Sequence, residues 1–126
     1  MEVLRNLRRK IKRYTEDIHF MRRRLKETTL WLNHTYALIK DLGANIHKNS
    51  KKILKAMSEG RAHNIHHFKD KMQHDEELMS LYISDVQRYH RYISEDRERI
   101  NRYRRHIKKL SRQRQNLLSQ IVAGIK

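Results

Sequence analysis

The stretch Ser58-Glu59-Gly60-Arg61-Ala62-His63-Asn64 decides how this chain folds, because it separates two long segments that share the same apolar spacing. Gly60 can adopt the left-handed conformation that ends a helix, and Asn64 can cap the start of the next helix. The sequence therefore predicts one domain, with a helix over about residues 2–58, a turn over 59–63 and a second helix over about 64–122.

Apolar residues on both sides of this turn recur at alternating intervals of three and four, which is the heptad spacing of paired helices. One stripe runs from Leu4 to Ala56, and the other runs from Ile65 to Ile121. The chain contains no proline and three glycines, so little in it opposes long helices. The pattern predicts an all-α fold, a long antiparallel coiled-coil helical hairpin.

The two stripes also match each other. When the numbers of facing residues sum to 121, Ile18 faces Tyr103. Three charged residues fall on the stripes and would need partners there, namely Asp75, Asp96 and Arg114. A competing interpretation breaks the first helix at Gly43 and gives a three-helix bundle. The continuous helix is favoured, because the stripe passes Gly43 in phase and a glycine inside a helix costs only about 1 kcal/mol.

Positive charge is concentrated in the two terminal segments. Residues 1–26 contain ten Lys or Arg and three acids, residues 97–126 contain ten and one, and residues 27–96 contain ten of each. A hairpin would bring the basic segments together and place the whole formal charge of +16 at one end. Four acids cannot pair with twenty Lys and Arg side chains, so most of these charges are unpaired and repel each other. Arginine outnumbers lysine there, which suits bidentate contacts with phosphate.

We expect these segments to bind nucleic acid, with double-stranded DNA favoured over RNA. Because the bases surround both helices, the expected mode is sequence-nonspecific backbone binding by an architectural, nucleoid-type protein that bridges or compacts duplexes. Aromatic residues lie among these Lys and Arg residues, and some of them, such as Tyr14 and His106, could also stack on unpaired nucleic-acid bases. Tyr14 falls on the apolar stripe as well. The predicted contacts are Arg5, Arg8, Arg9, Lys10, Lys12, Arg13, Arg22, Arg23, Arg24, Lys26, Arg97, Arg99, Arg102, Arg104, Arg105, Lys108, Lys109 and Arg112.

Two other functions fit the same charge. The chain could be a membrane-surface scaffold that binds anionic lipid, or a coiled-coil adaptor for an acidic partner. The lipid interpretation is less favoured, because the basic segments lack an amphipathic insertion face. The sequence shows no signal peptide, no membrane-length apolar run and no cysteine. We therefore expect a cytoplasmic protein, associated with the nucleoid if it binds DNA.

Apolar residues outside the stripes lie mainly in the neutral middle of the chain. A lone two-helix hairpin has little core, so we expect a homodimer in which two hairpins form a central four-helix bundle. The alternative is that a third local segment covers this zone. The predicted interface residues are Leu30, Trp31, Tyr36, Leu38, Gly43, Leu78, Leu81, Ile83 and Tyr92.

Metal binding and catalysis have little support in the sequence. His63 and His67 have the i, i+4 spacing of a two-ligand metal clip, but local spacing fixes no third ligand, so they are weak candidates. Protonation at about pH 6 of several histidines that follow the turn could instead make the neutral tip of the hairpin basic; these histidines are His63, His66, His67 and His74. The sequence has no glycine-rich phosphate loop and no setting for a nucleophile. We expect no enzymatic activity, no cofactor and no small-molecule substrate.

Overall fold

A computed structural model of the chain describes residues 2–125, and it describes the side chains of all of these except Ala62, His63 and Ile125. It contains two helices, α1 (Glu2–Ser58) and α2 (Ala62–Ile125), which pack as an all-helical hairpin. The helical hairpin that the heptad stripes predict is therefore confirmed. α1 continues through Gly43 without a break, so the three-helix alternative is wrong.

Gly60 ends α1 in the left-handed conformation, with a φ of 70°. The Arg61 N–H donates a hydrogen bond of 2.9 Å to the carbonyl of Ala56, and the Gly60 N–H donates one of 3.3 Å to the carbonyl of Met57. These two bonds form a Schellman motif, which satisfies carbonyls that would otherwise lack partners at the helix end. Glycine adopts the required φ without the steric penalty of a Cβ atom.

The second helix extends beyond its approximate predicted bounds, by two residues at its start and three at its end. α2 begins at Ala62 instead of residue 64 and ends at Ile125 instead of residue 122. Asn64 therefore lies in the first turn of α2, where its N–H donates a hydrogen bond of 3.3 Å to the carbonyl of Arg61. The cause is the tightness of the Schellman motif, which reverses the chain before Asn64 is reached, so Asn64 is not needed as a cap.

The contacts of the chain divide it into two compact units. Unit 1 comprises Met1–Thr28 and Tyr92–Lys126, and unit 2 comprises Thr29–Arg91. In each unit, a segment of α1 packs against a segment of α2. That the whole chain forms one domain stays a prediction.

The apolar stripes form the buried side of each helix. In unit 1, Ile18, Met21 and Ile100 form the buried core, and Leu25, Tyr103 and Ile107 pack against it. Ile18 and Tyr103, which the sequence places opposite each other, belong to this cluster. In unit 2, the most buried apolar residues are Leu32, Leu42, Ala56 and Val86.

Arg114 departs from this pattern. Among the described residues of both stripes, it is the one that is exposed, whereas the others are buried or half-buried. Its predicted place in the helix contact is therefore wrong. The reason is the cost of burying an unpaired guanidinium, which a long side chain avoids by extending into water.

Threonines on the α1 stripe satisfy their hydroxyl groups within the helix. Thr28 Oγ1 donates a hydrogen bond to the carbonyl of Arg24, and Thr35 Oγ1 donates one to the carbonyl of Trp31, each at 2.8 Å. Thr35 is only 5% exposed, so without this hydrogen bond its hydroxyl would be buried with no partner. Polar residues can thus occupy the helix contact without leaving a buried hydroxyl unpaired.

Outside the stripes, both helices are largely polar, in keeping with a chain in which 35% of the residues are charged. Over its described residues, neither helix offers a stretch that is both long enough and apolar enough to cross a membrane.

Replacing Gly60 with Ala should lower the free energy of unfolding by about 1 kcal/mol, because alanine would have to adopt a left-handed φ. Gly43→Ala is the matched control. A Cβ at Gly43 would lie 3.7 Å from Cε of Met79, an ordinary contact, and alanine favours a helix over glycine by up to about 1 kcal/mol. Urea unfolding at one protein concentration should therefore shift in opposite directions for the two variants. Equal shifts would contradict the assigned turn.

Candidate nucleic-acid interface

Unit 1 brings the two basic segments of the chain together. The ring of Tyr14 on α1 lies 5.2 Å from the ring of Tyr103 and 5.4 Å from that of His106 on α2, measured between ring centroids. The first and last parts of the chain therefore pack side by side, which brings their cations into one unit.

The charge gathered in unit 1 is smaller than the predicted +16. Its sequence contains twenty Lys or Arg and seven Asp or Glu, which gives a formal charge of +13, and unit 2 carries the remaining +3. The difference arises because Glu27, Glu95 and Asp96, assigned to the neutral middle from the sequence, belong to unit 1. Unit 1 nevertheless holds most of the excess cations.

All eighteen cations that the sequence predicts as phosphate contacts are exposed. Within the described part of unit 1, Arg24 is the one base that forms an ion pair. The remaining seventeen have no carboxylate partner in that part of the chain, so their charges face solvent.

Arg24 makes a bidentate contact with Asp96. Its Nε donates a hydrogen bond of 3.0 Å to Oδ2 of Asp96, and its Nη2 donates one to Oδ1. The hydrogen bond with Asp96 raises the pKa of Arg24 above its usual value, and partial burial opposes this rise. Asp96 is 3% exposed as a residue, whereas the side chain of Arg24 is 44% exposed.

This contact changes the interpretation of both residues. Asp96 lies on the stripe and needs a cationic partner, and Arg24 supplies it across the helix contact. Arg24 was predicted to contact phosphate, but its charge is already balanced within unit 1. Its primary role is therefore structural, since a buried carboxylate without a partner would destabilise the fold.

Aromatic residues of unit 1 are used mainly within the protein. The rings of Tyr14 and His106 are nearly parallel, at 12°, and Tyr14 and Tyr103 are both half-buried. Phe20 is different, since it is 60% exposed, with the guanidinium of Arg24 lying 5.9 Å from its ring centroid. The predicted stacking of Tyr14 and His106 on nucleic-acid bases would have to compete with these intramolecular contacts.

The predicted interface residues are divided between the units, with Tyr92 in unit 1 and the other eight in unit 2. Leu38, Gly43 and Leu78 are half-buried within the chain, so less of their surface is free to contact a second copy than predicted. The hydroxyl of Tyr36 shares a hydrogen bond of 2.7 Å with Nε2 of His90. The large apolar members of unit 2 that remain exposed are Leu30 at 61%, Trp31 at 59%, Tyr36 at 45%, Leu81 at 63% and Ile83 at 45%.

Sequence reasoning missed two exposed apolar residues in unit 2. Leu54 is 64% exposed and Met57 is 61% exposed. Both lie off the α1 stripe near the turn, so their positions in the heptad repeat were the signal that could have identified them.

The weak metal candidates find no further support. His67 lies in a groove of unit 2 together with cations such as Lys48 and acids such as Asp70 and Asp75. The side chain of His63 lies outside the described residues. Among the side chains that are described, no three His, Asp or Glu are placed to hold a metal ion.

Comparison of the chain with protein-family models, with curated proteins and with solved structures finds no match. The function of the protein must therefore be inferred from its own charge and geometry.

Replacing Arg24 with Met should lower the free energy of unfolding by about 2 kcal/mol, because Asp96 would remain buried without its hydrogen-bond partner. Asp96→Leu should cost less, since Arg24 can turn into water and leucine suits an apolar contact. The double variant should regain most of the loss of Arg24→Met. Urea unfolding at a fixed protein concentration measures the free energy of unfolding of all three variants. Equal losses for the two single variants would contradict the interpretation that Asp96 depends on Arg24 more than Arg24 depends on Asp96.

Proposed function

We propose that this protein binds the phosphate backbone of double-stranded DNA without reading its sequence, and that it bridges or compacts duplexes as an architectural protein. The observation that carries this proposal is the excess of exposed cations in unit 1. Twenty bases share that unit with seven acids, and Arg24 is the one base with an ion-pair partner in its described part. Such a role would place the protein in the cytoplasm, on the nucleoid.

The distribution of the cations favours contacts with the backbone over contacts with bases. A protein that reads bases presents a few side chains on one element that enters a groove of the duplex. Here the exposed cations lie along both helices of unit 1, where they can follow rows of phosphates. Because Tyr14 and His106 stack on each other, duplex binding is also favoured over single-strand binding through stacked bases.

A homodimer would supply two such basic surfaces. We propose that the helices of the hairpin pack as a coiled coil, in line with burial at the heptad positions, and that two copies associate through unit 2 in a four-helix bundle. The exposed apolar residues of unit 2, including Trp31 and Leu81, suit contact with a second copy. Two basic units held in one assembly could bind two duplex segments and so bridge them.

Duplex DNA binding should depend steeply on salt. If about six phosphates are neutralised, the affinity should fall about 10³-fold between about 50 and 200 mM salt, because bound counterions are released from the DNA. Filter binding at these two salt concentrations measures this dependence, with duplex RNA and anionic vesicles as parallel ligands. Salt-independent binding, or binding to vesicles alone, would contradict the proposal, and the second result would support the lipid scaffold instead.

The protein should have about twice the mass of the 15.5 kDa chain in light scattering. Replacing both Trp31 and Leu81 with Gln should weaken this association at least about tenfold, because each removes an exposed apolar side chain from the proposed contact. Phe20→Gln is the matched control, since Phe20 is 60% exposed but belongs to unit 1. A monomeric mass for the unaltered protein would contradict the dimer.

A further inference from the structure

A groove in unit 1 collects cations from both helices. It has a volume of about 430 Å³ and is lined by Lys10 and Arg13 of α1 and by Lys109 of α2, together with the ring residues Tyr14 and His106. None of the described residues that line it carries a carboxylate. Lys10 and Arg13 also line a second groove, where Arg9 adds a further cation.

Helical spacing explains why these side chains meet. Lys10 and Arg13 are three residues apart and therefore lie on the same side of α1, and His106 and Lys109 have the same relation on α2. Lys10 and His106 directly flank the apolar stripes, at positions that in paired helices commonly carry opposite charges and form ion pairs between the helices. Arg13 and Lys109 lie next to them, one step farther from the stripes. Lys10, Arg13 and Lys109 are all cations, so they repel each other unless an anion lies between them.

The floor of the groove is held by aromatic packing. Tyr14 stacks on His106 at 5.4 Å and packs against Tyr103 at 5.2 Å, which connects α1 and α2 at this level of unit 1. Tyr14 and Leu110, which also lines the groove, are both half-buried. The backbone that carries the groove cations is thus held in place by packed rings, which reduces the backbone freedom that binding would otherwise remove.

We propose that this groove is the phosphate anchor of the basic surface, a site where one phosphodiester group of a duplex backbone is held by Lys10 and Arg13 from α1 and by Lys109 from α2. The inference rests on the proposed DNA binding and adds to it a specific contact point. A phosphate in the groove interacts with several cations at once and relieves their mutual repulsion. An isolated exposed cation on the outer face of a helix offers one such interaction, which solvent weakens.

The test compares two triple variants that remove the same charge. The groove variant is Lys10→Gln, Arg13→Gln and Lys109→Gln. The control is Arg23→Gln, Lys26→Gln and Lys108→Gln, which also removes one Arg and two Lys from exposed positions of unit 1, two on α1 and one on α2, none of them lining this groove. Duplex DNA affinity at about 100 mM salt should fall at least about tenfold more for the groove variant than for the control.

The outcomes separate this inference from the proposed function. Equal losses in the two triple variants would overturn the anchor and leave nonspecific DNA binding intact, whereas an unaltered protein that binds no duplex would reject the DNA-binding proposal itself. A third experiment titrates inorganic phosphate into the protein while NMR follows the amide resonances of the residues that line the groove. Phosphate binding there without a preferential loss of duplex affinity in the groove variant would overturn the assignment to a DNA backbone.

The variants must remain folded for this comparison. Circular dichroism and thermal unfolding should show the groove variant to be at least as stable as the control, because it removes mutually repelling charges. If the groove variant fails to fold, the single variants Lys109→Gln and Lys108→Gln can be compared instead. They alter neighbouring lysines, and only Lys109 lines the groove. Equal duplex affinities for these two single variants would also overturn the proposal.

Discussion

Packing of the apolar stripes holds two strongly like-charged segments together, and every other property of the protein depends on it. Burial of Ile18, Met21 and Ile100 removes apolar surface from water at a gain of about 25 cal/mol per Å². This gain opposes the repulsion among the cations of unit 1, whose formal charge is +13. The charge is thus concentrated by hydrophobic packing, and in the proposed function a bound anion would relieve the repulsion among these cations.

Charge inside the helix contact and charge at its flanks have different consequences. Asp96 is buried and is neutralised by a bidentate contact with Arg24, so this pair contributes to the fold. Lys10, Arg13 and Lys109 lie beside the same helix contact, but no acid lines their groove among the described residues. One cation of the basic surface is therefore part of the scaffold, while others remain available to a ligand. A count of bases alone would treat all of them as equivalent.

The two units carry different surfaces. Unit 1 holds most of the excess charge, and unit 2 exposes large apolar side chains such as Trp31 and Leu81. In the proposed homodimer, unit 2 would provide association and unit 1 would provide DNA contacts. A protein of this kind needs no deep pocket, because the phosphate backbone is recognised by charge and spacing along an open surface.

The sequence by itself determined the helices, the left-handed turn at Gly60, the buried stripes and the exposure of the eighteen predicted cations. These features follow from the helical repeat and from glycine chemistry, both of which act over a few residues. The tertiary structure alone decided that Asp96 pairs with Arg24, that Arg114 leaves the helix contact, and that Lys10, Arg13 and Lys109 share one groove. Such contacts join side chains far apart in the chain, 72 residues in the case of Arg24 and Asp96. They depend on the register of the two helices and on rotamers, which a local pattern does not specify.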